Sequence, residues 1–209
     1  MKAHLINATL VAALAAGAAG SAACTSAVRQ GTGNSYLIID ALQGVEGQSG
    51  QEGANLRSDV EALVTQTVGG ADIKVPTIFE DGGLVTFRLG LKDPLAPTST
   101  NNFITVTRYR VEYARTDGRN TPGVDVPHPF EGAVTATVGT DGQTRVGFTL
   151  VRLQAKAEPP LVGLRGAGGQ FAISTIATVT FFGADQTGRA ASATGKITIS
   201  FADWADEED

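Results

Sequence analysis

Asn102-Phe103-Ile104-Thr105-Val106-Thr107-Arg108-Tyr109-Arg110-Val111-Glu112-Tyr113-Ala114-Arg115 is the longest unbroken strand-like run of the chain. It contains neither Gly nor Pro and is rich in β-branched and aromatic residues, which suit a pleated, half-buried surface. The odd positions read Phe103, Thr105, Thr107, Tyr109, Val111 and Tyr113, while the even positions from Arg108 onward read Arg108, Arg110 and Glu112. That period of two predicts a β-strand with one covered face. Ile104 and Val106 add apolar side chains to the even face ahead of Arg108. The first half is therefore expected to be covered on both sides and the second half on one, as for a strand running from a sandwich centre toward an edge. The turn cluster Asp117-Gly118-Arg119-Asn120 ends it.

Strand signals continue on both sides of this run. Tyr36 to Leu42 reads as a first strand, apolar on both faces in its middle, and Gly44 to Asn55 as an exposed loop. Leu56 to Val68 has two readings. Ser58-x-x-Glu61 has capping-box spacing for a short helix, whereas Val60, Ala62, Val64 and Thr65-x-Thr67 suit an edge strand, which the β character of the rest favours. Ile78-Phe79-Glu80-Asp81-Gly82-Gly83-Leu84-Val85 carries a tight-turn signal between apolar residues. Val85, Phe87, Leu89 and Leu91 then alternate, and Pro94 to Asn102 forms a polar loop. Ala133 to Val138 and the alternating Val146, Phe148 and Leu150, joined by Thr140-Asp141-Gly142-Gln143, predict a hairpin. Ala155 to Pro160 breaks the pattern, and Gly163 to Gly169 is a Gly-rich loop.

The 209 residues fit one domain behind a leader. A mature part of roughly 185 residues buries about 70% of its unfolded surface and needs no disulfide or metal to fold. The formal charge is −5, and Arg108, Arg110, Arg115 and Arg119 are interleaved with Glu112 and Asp117. No basic stripe results, which argues against nucleic-acid binding. The expected organisation is a signal peptide at 1–23, a flexible tether at 24–35, a β-sandwich domain at 36–202 and a solvated acidic tail at 203–209.

Lys2 supplies a positive start, and Leu5 to Ala19 is apolar but short and dominated by Ala, as in a secretory signal. Gly20-Ser21-Ala22-Ala23 precedes Cys24, the single cysteine. This stretch resembles a bacterial lipoprotein signal peptidase site, with Ser21 standing where that motif usually carries Leu. The resemblance implies that Cys24 becomes the first mature residue and carries lipid, which would tether the protein to a membrane without spanning it. Ser21-x-Ala23 also suits ordinary signal cleavage, which would leave a free thiol on a secreted protein. The whole chain looks like uncharacterised predicted bacterial lipoproteins.

Residues with catalytic chemistry are few. His4 lies in the leader, leaving His128 in Pro127-His128-Pro129, with no Gly-x-Ser-x-Gly elbow to partner it. No cysteine remains for a Cys/His zinc site. Gly163-Leu164-Arg165-Gly166-Ala167-Gly168-Gly169 lacks the Gly-Lys-Ser/Thr ending of a phosphate loop and reads as a turn. Asp81, Asp93, Asp117, Asp125 and Asp185 are scattered without the spacing of a calcium loop. Thr116 to Gly132 holds Arg119, Asn120, Asp125, His128 and Phe130 and is either a recognition loop or a long crossover between sheets. The expectation is no catalytic, cofactor-binding or metal-binding residue, and lipidation at Cys24.

Ala177-Thr178-Val179-Thr180-Phe181-Phe182-Gly183-Ala184-Asp185-Gln186-Thr187-Gly188-Arg189 leads into Ala193-Thr194-Gly195-Lys196-Ile197-Thr198-Ile199-Ser200-Phe201. It resembles the final hairpin of bacterial immunoglobulin-like and fibronectin-like sandwich domains. The antibody-type Cys…Trp…Cys core is missing, since Trp204 follows the last strand and Cys24 precedes the first. The resemblance implies an all-β fold, an antiparallel immunoglobulin-like sandwich of seven to nine strands. The implied protein is non-catalytic, structural or adhesive, held by membrane lipid and binding an envelope protein or glycan. The alternatives are an accessory or solute-binding module, which requires a concave pocket, and an unrecognised hydrolase, which requires acids converging on His128 or on each other.

Overall fold

The computed structural model describes residues 33–204 apart from Ala96 and Thr98. The leader, Cys24, the tether up to residue 32 and residues 205–209 lie outside the described residues. The strands are β1 (Ser35–Val45), β2 (Glu52–Gly53), β3 (Asn55–Asp59), β4 (Ala62–Val68), β5 (Ala71–Thr77), β6 (Asp81–Leu91), β7 (Ile104–Ala114), β8 (Phe130–Val138), β9 (Gln143–Val151), β10 (Ala172–Asp185) and β11 (Ala190–Ala202). A single α-helical turn, α1 (Leu153–Ala157), follows β9. No helix among the described residues is long and apolar enough to cross a membrane.

The chain is all-β, as expected. One sheet runs β2-β1-β6-β9, a second runs β3-β11-β10-β7-β8, and β4-β5 form a separate hairpin. The two larger sheets meet through their aromatic side chains. Phe87 of β6 and Phe148 of β9 pack edge-on against Phe181 of β10, with ring centroids 5.0 and 5.2 Å apart. Nine strands thus build the two facing sheets, and β4-β5 lie outside the expected count. One pairing departs from the antiparallel expectation, since β3 runs parallel to β11.

The strand at the centre of the sequence argument is correct in type and wrong in phase. Ile104, Val106, Tyr109, Val111 and Tyr113 are all buried, and Thr107 and Arg108 are both exposed. The parity changes because Val106 pairs with Gly183 of β10 while Arg108 pairs with Phe182, so Thr107 is an inserted residue. Such a bulge puts two consecutive side chains on one face and bends the strand. Ile104 and Val106 therefore face the same core as Tyr109, and the first half is not covered on both sides. Nor does β7 reach an edge, because β8 covers it.

Two turn expectations fail for identifiable reasons. Asp81-Gly82-Gly83 is not a turn but the start of β6. Gly83 lies opposite Phe148 on β9, and a Cβ on Gly83 would overlap that ring. The glycine serves the close approach of an aromatic side chain, a use invisible to a turn rule. The same pairing recurs with Tyr36 over Gly90 and Tyr109 over Gly132. The second failure is the hairpin of β8 and β9, which lie in different sheets. Both carry apolar side chains into the core, Val134, Ala136 and Val138 from one and Phe148 and Leu150 from the other. Residues 139–142 let the chain cross so that these faces meet across the core.

Residues 56–68 form strand rather than helix, falling into β3 and β4 with Val60 and Glu61 between them. Ser58 does not cap a helix; it is buried and donates to Asp81. Ser35, assigned to the tether, is buried in β1 and donates to the Asn102 carbonyl at 2.6 Å. Asp203 is not a free tail residue, since its carboxylate accepts the Gly168 N–H at 3.2 Å.

Candidate functional site

The bulge in β7 has a consequence on the outer face of the five-stranded sheet. Thr105, Thr107 and Arg108 form one side of a groove of about 710 Å³, and Phe182 to Gln186, Gly188 and Ala190 to Ser192 form the rest. That volume lies within the range of small-molecule sites. Gly183, Ala184 and Ala190 contribute minimal side chains to its lining, while Ala191 packs against the core. At Gly183 this is obligatory, since a Cβ there would collide with the Thr105 carbonyl. The inserted Thr107 and the close approach of Gly183 to the Thr105 backbone both border the groove.

The rim is polar and largely pre-arranged. The Arg108 guanidinium lies 3.9 Å over the Phe182 ring and donates to Glu131 at 3.2 Å. Glu131 is also within 3.5 Å of Arg110, whose main partner is Glu112 at 2.9 Å. Gln186 donates its amide to the Thr105 hydroxyl at 3.2 Å, and Thr105 meets Thr137 at 3.0 Å. Asp185 closes the end of the groove, but its Oδ1 accepts from the Thr187 and Arg189 N–H groups, both at 2.9 Å, and from the Thr187 hydroxyl at 2.7 Å. Desolvation opposes ionisation there, yet these hydrogen bonds hold the carboxyl below its ordinary range.

Residues singled out from the sequence are not gathered here. His128 is exposed on the loop after β7, packed over Gly123. That loop is folded on itself. The Arg115 N–H donates to the Asn120 side chain at 2.6 Å, the Thr121 N–H to Asp125 at 3.1 Å, and Val126 is buried. Asp117 sits between Arg115 and Arg119, whose hydrogen bonds, Arg115 first, hold its carboxyl far below the usual carboxylate range. Asp93 accepts the Leu95 N–H. Each acidic side chain serves its own neighbourhood, and among the described residues no group of three or more His, Cys, Asp or Glu could hold a metal ion. Gly163 lies within a short 3-10 turn at Leu161–Leu164, whose two leucines are buried, and the rest of the Gly-rich segment follows it.

A second polar cluster lies in the interior. Asp81 and Lys156 are each only 1% exposed and pair at 2.8 Å. The sequence offered no sign of it. Lys156 stands in the pattern break from Ala155 to Pro160 and Asp81 in the turn signal from Ile78 to Val85, and neither pattern marks a buried pair. The groove does leave a trace, the change of parity at Val106-Thr107-Arg108, which in sequence alone has the look of double coverage.

Together these features define an all-β protein of two facing sheets with a surface groove built on a strand bulge. Compared with protein-family models, characterised proteins and solved structures, the chain finds no significant match in any of the three.

Proposed function

We propose that the protein is an exported, lipid-anchored envelope protein with an immunoglobulin-like sandwich that binds a glycan non-catalytically through the groove on its five-stranded sheet. The groove carries this reading. A sugar ring offers one face of C–H groups and an edge of hydroxyls. A floor of Gly and Ala beside Thr105, Thr107, Gln186 and Ser192 complements both. Asp185, the one carboxylate among the lining residues, has its Oδ1 engaged by its own turn, which favours binding over hydrolysis. The immunoglobulin-like assignment draws support from strand order. With β2 to β5 set aside, the first, second and fifth strands share one sheet and the third, fourth, sixth and seventh the other. That agrees with A, B and E against C, C′, F and G.

Thr107 is exposed at the bulge, so Thr107→Arg is expected to fill the groove without disturbing the core. Muramidase-released peptidoglycan fragments and N-acetylglucosamine oligomers, titrated calorimetrically, should bind wild type at least about tenfold more tightly than this variant, a difference of about 1.4 kcal/mol. The unfolding midpoint should not change. Failure of wild type to retain any glycan of the panel would end the glycan reading. The anchor is tested separately, because Cys24→Ala is expected to move the protein from the membrane to the soluble fraction. Unchanged membrane retention of that variant would refute lipidation at Cys24.

A further inference from the structure

Among the described residues, β4 and β5 pair with each other and with no other strand. A lone two-stranded hairpin is marginal in water, and an open strand edge is a template for pairing with another chain. The two edges of this hairpin differ. β5 carries Asp72, Lys74 and Pro76, and charge and proline are the usual means of blunting an edge. β4 is seven residues long without charge, Gly or Pro, and its Thr65, Gln66, Thr67 and Val68 are exposed.

The register sorts the hairpin into two faces. Val64 lies opposite Val75, Gln66 opposite Ile73 and Val68 opposite Ala71, which makes one face uncharged. Val68 and Ile73 on that face are 58% and 46% exposed. Asp72 and Lys74 share the other face with Thr65 and Thr67, and the Thr67 hydroxyl donates to Asp72 at 2.7 Å. Gly69 and Gly70, both with positive φ, make a two-residue turn. The pair flanking such a turn exchanges both of its backbone hydrogen bonds, and bonded and non-bonded pairs alternate from there. Val64, Gln66 and Val68 therefore direct their backbone groups to β5, while Thr65 and Thr67 turn theirs to the open edge.

Val64-Thr65-Gln66-Thr67-Val68 reads the same in both directions. Such a palindrome suits a two-fold axis through an antiparallel strand pair, where each residue meets its own kind. We propose that β4 pairs antiparallel with β4 of a second copy of this chain, with the two-fold axis at Gln66. Val64 then faces Val68 of the second copy, Thr65 faces Thr67, and Gln66 faces Gln66. The outward backbone groups of Thr65 and Thr67 meet as hydrogen-bonded pairs, and Gln66 falls in a non-hydrogen-bonded pair, the closer of the two kinds. Threonine opposite threonine and apolar opposite apolar are favourable cross-strand pairs. The product is a four-stranded sheet with both uncharged faces on one side. Its outer edges are the blunted β5 strands, so association stops at two copies. β3, which leads into β4, ends beside Ala202, whereas the groove lies by the β10–β11 turn at the other end of β11. The pairing and glycan binding can therefore fail separately.

Disulfide trapping tests the axis in the full-length chain carrying Cys24→Ala, which removes the single native thiol. Gln66→Cys is expected to yield a covalent dimer under mild oxidation, because directly opposite Cβ atoms lie about 4.5–5.5 Å apart. Thr65→Cys and Thr67→Cys should each cross-link poorly alone and well when mixed, since each would meet its own copy only as a diagonal neighbour about 7–8 Å away. Equal yields at all three positions, or no dimer with Gln66→Cys, would overturn the pairing. Sedimentation supplies a readout without oxidation. The Cys24→Ala protein should pass from monomer to dimer as its concentration rises. Gln66→Lys sets two ammonium groups face to face at the axis and should hold the protein monomeric with an unchanged circular dichroism spectrum. A Cys24→Ala protein that stays monomeric throughout, or undiminished dimerisation of Gln66→Lys, would equally refute the proposal.

Discussion

Lys156→Ala is expected to destabilise the fold by about 3–5 kcal/mol, the usual cost of removing one partner from a buried ion pair. The variant leaves the Asp81 carboxyl in a site 1% exposed, with only Ser58 and the Gly47 N–H as partners. The lost lysine stem adds a cavity, but the unpaired charge dominates, and this gives the variant a diagnostic pH dependence. Burial already raises the folded-state pKa of Asp81, and removing Lys156 takes away the largest influence holding it down. A carboxyl with a raised folded pKa binds its proton more tightly in the native state. Its stability contribution is thus greatest in acid and is lost as pH rises through the folded value. Denaturant unfolding of Lys156→Ala should show the largest deficit at neutral pH and partial recovery on acidification. The double variant Asp81→Leu/Lys156→Met removes both charges and should recover much of the loss at neutral pH. A deficit in Lys156→Ala that is constant or grows toward acid would refute the unpaired carboxyl as its cause.

The limits of sequence reading lie in the same places. Periodicity found β1, β6, β7, β10 and β11 because each has a long face of Val, Ile, Phe or Tyr turned to the core. It could not find the bulge, since an inserted Thr between Val106 and Arg108 looks like ordinary alternation with an apolar surplus. Nor could a local rule separate the two uses of glycine. Gly83 is matched to Phe148, some sixty residues on, and only the sheet register brings them opposite. β8 and β9 were misjudged for a related reason. A short turn between two half-apolar strands is satisfied by pairing within a sheet or by facing across a core, and tertiary packing decides between them. The Asp81–Lys156 pair joins a strand start to a helix through side chains alone, which leaves no periodic signature. The groove left only the parity change at Val106-Thr107-Arg108, because its walls come from β7, β10 and β11, which the sheet brings together.

Phe181 and Phe182 are neighbours on β10 that face opposite sides of the sheet, and alanine at each should separate fold from site. Phe181 has no exposed surface. Its ring packs against Phe87 and Phe148 of the facing sheet and lies 6.1 Å from Tyr109 of its own. Phe181→Ala therefore opens a cavity where the two sheets join, and rings from two strands of the opposite sheet cannot collapse into it without moving those strands. The expected cost is about 3–5 kcal/mol, with a matching fall in thermal midpoint. Phe182 is half-exposed at the groove, and its ring carries the Arg108 guanidinium. Phe182→Ala removes that stacking, worth about 0.5–1 kcal/mol at an exposed site, and should leave the fold nearly as stable as wild type. It should nonetheless weaken glycan binding, because Arg108 loses the surface that orients it along the rim. Thermal unfolding and glycan titration on both variants give opposite rankings if the inner face of β10 holds the sheets together and the outer face holds the ligand. Equal losses of stability would mean that Phe182 belongs to the core and that the bulge does not divide β10 between packing and recognition.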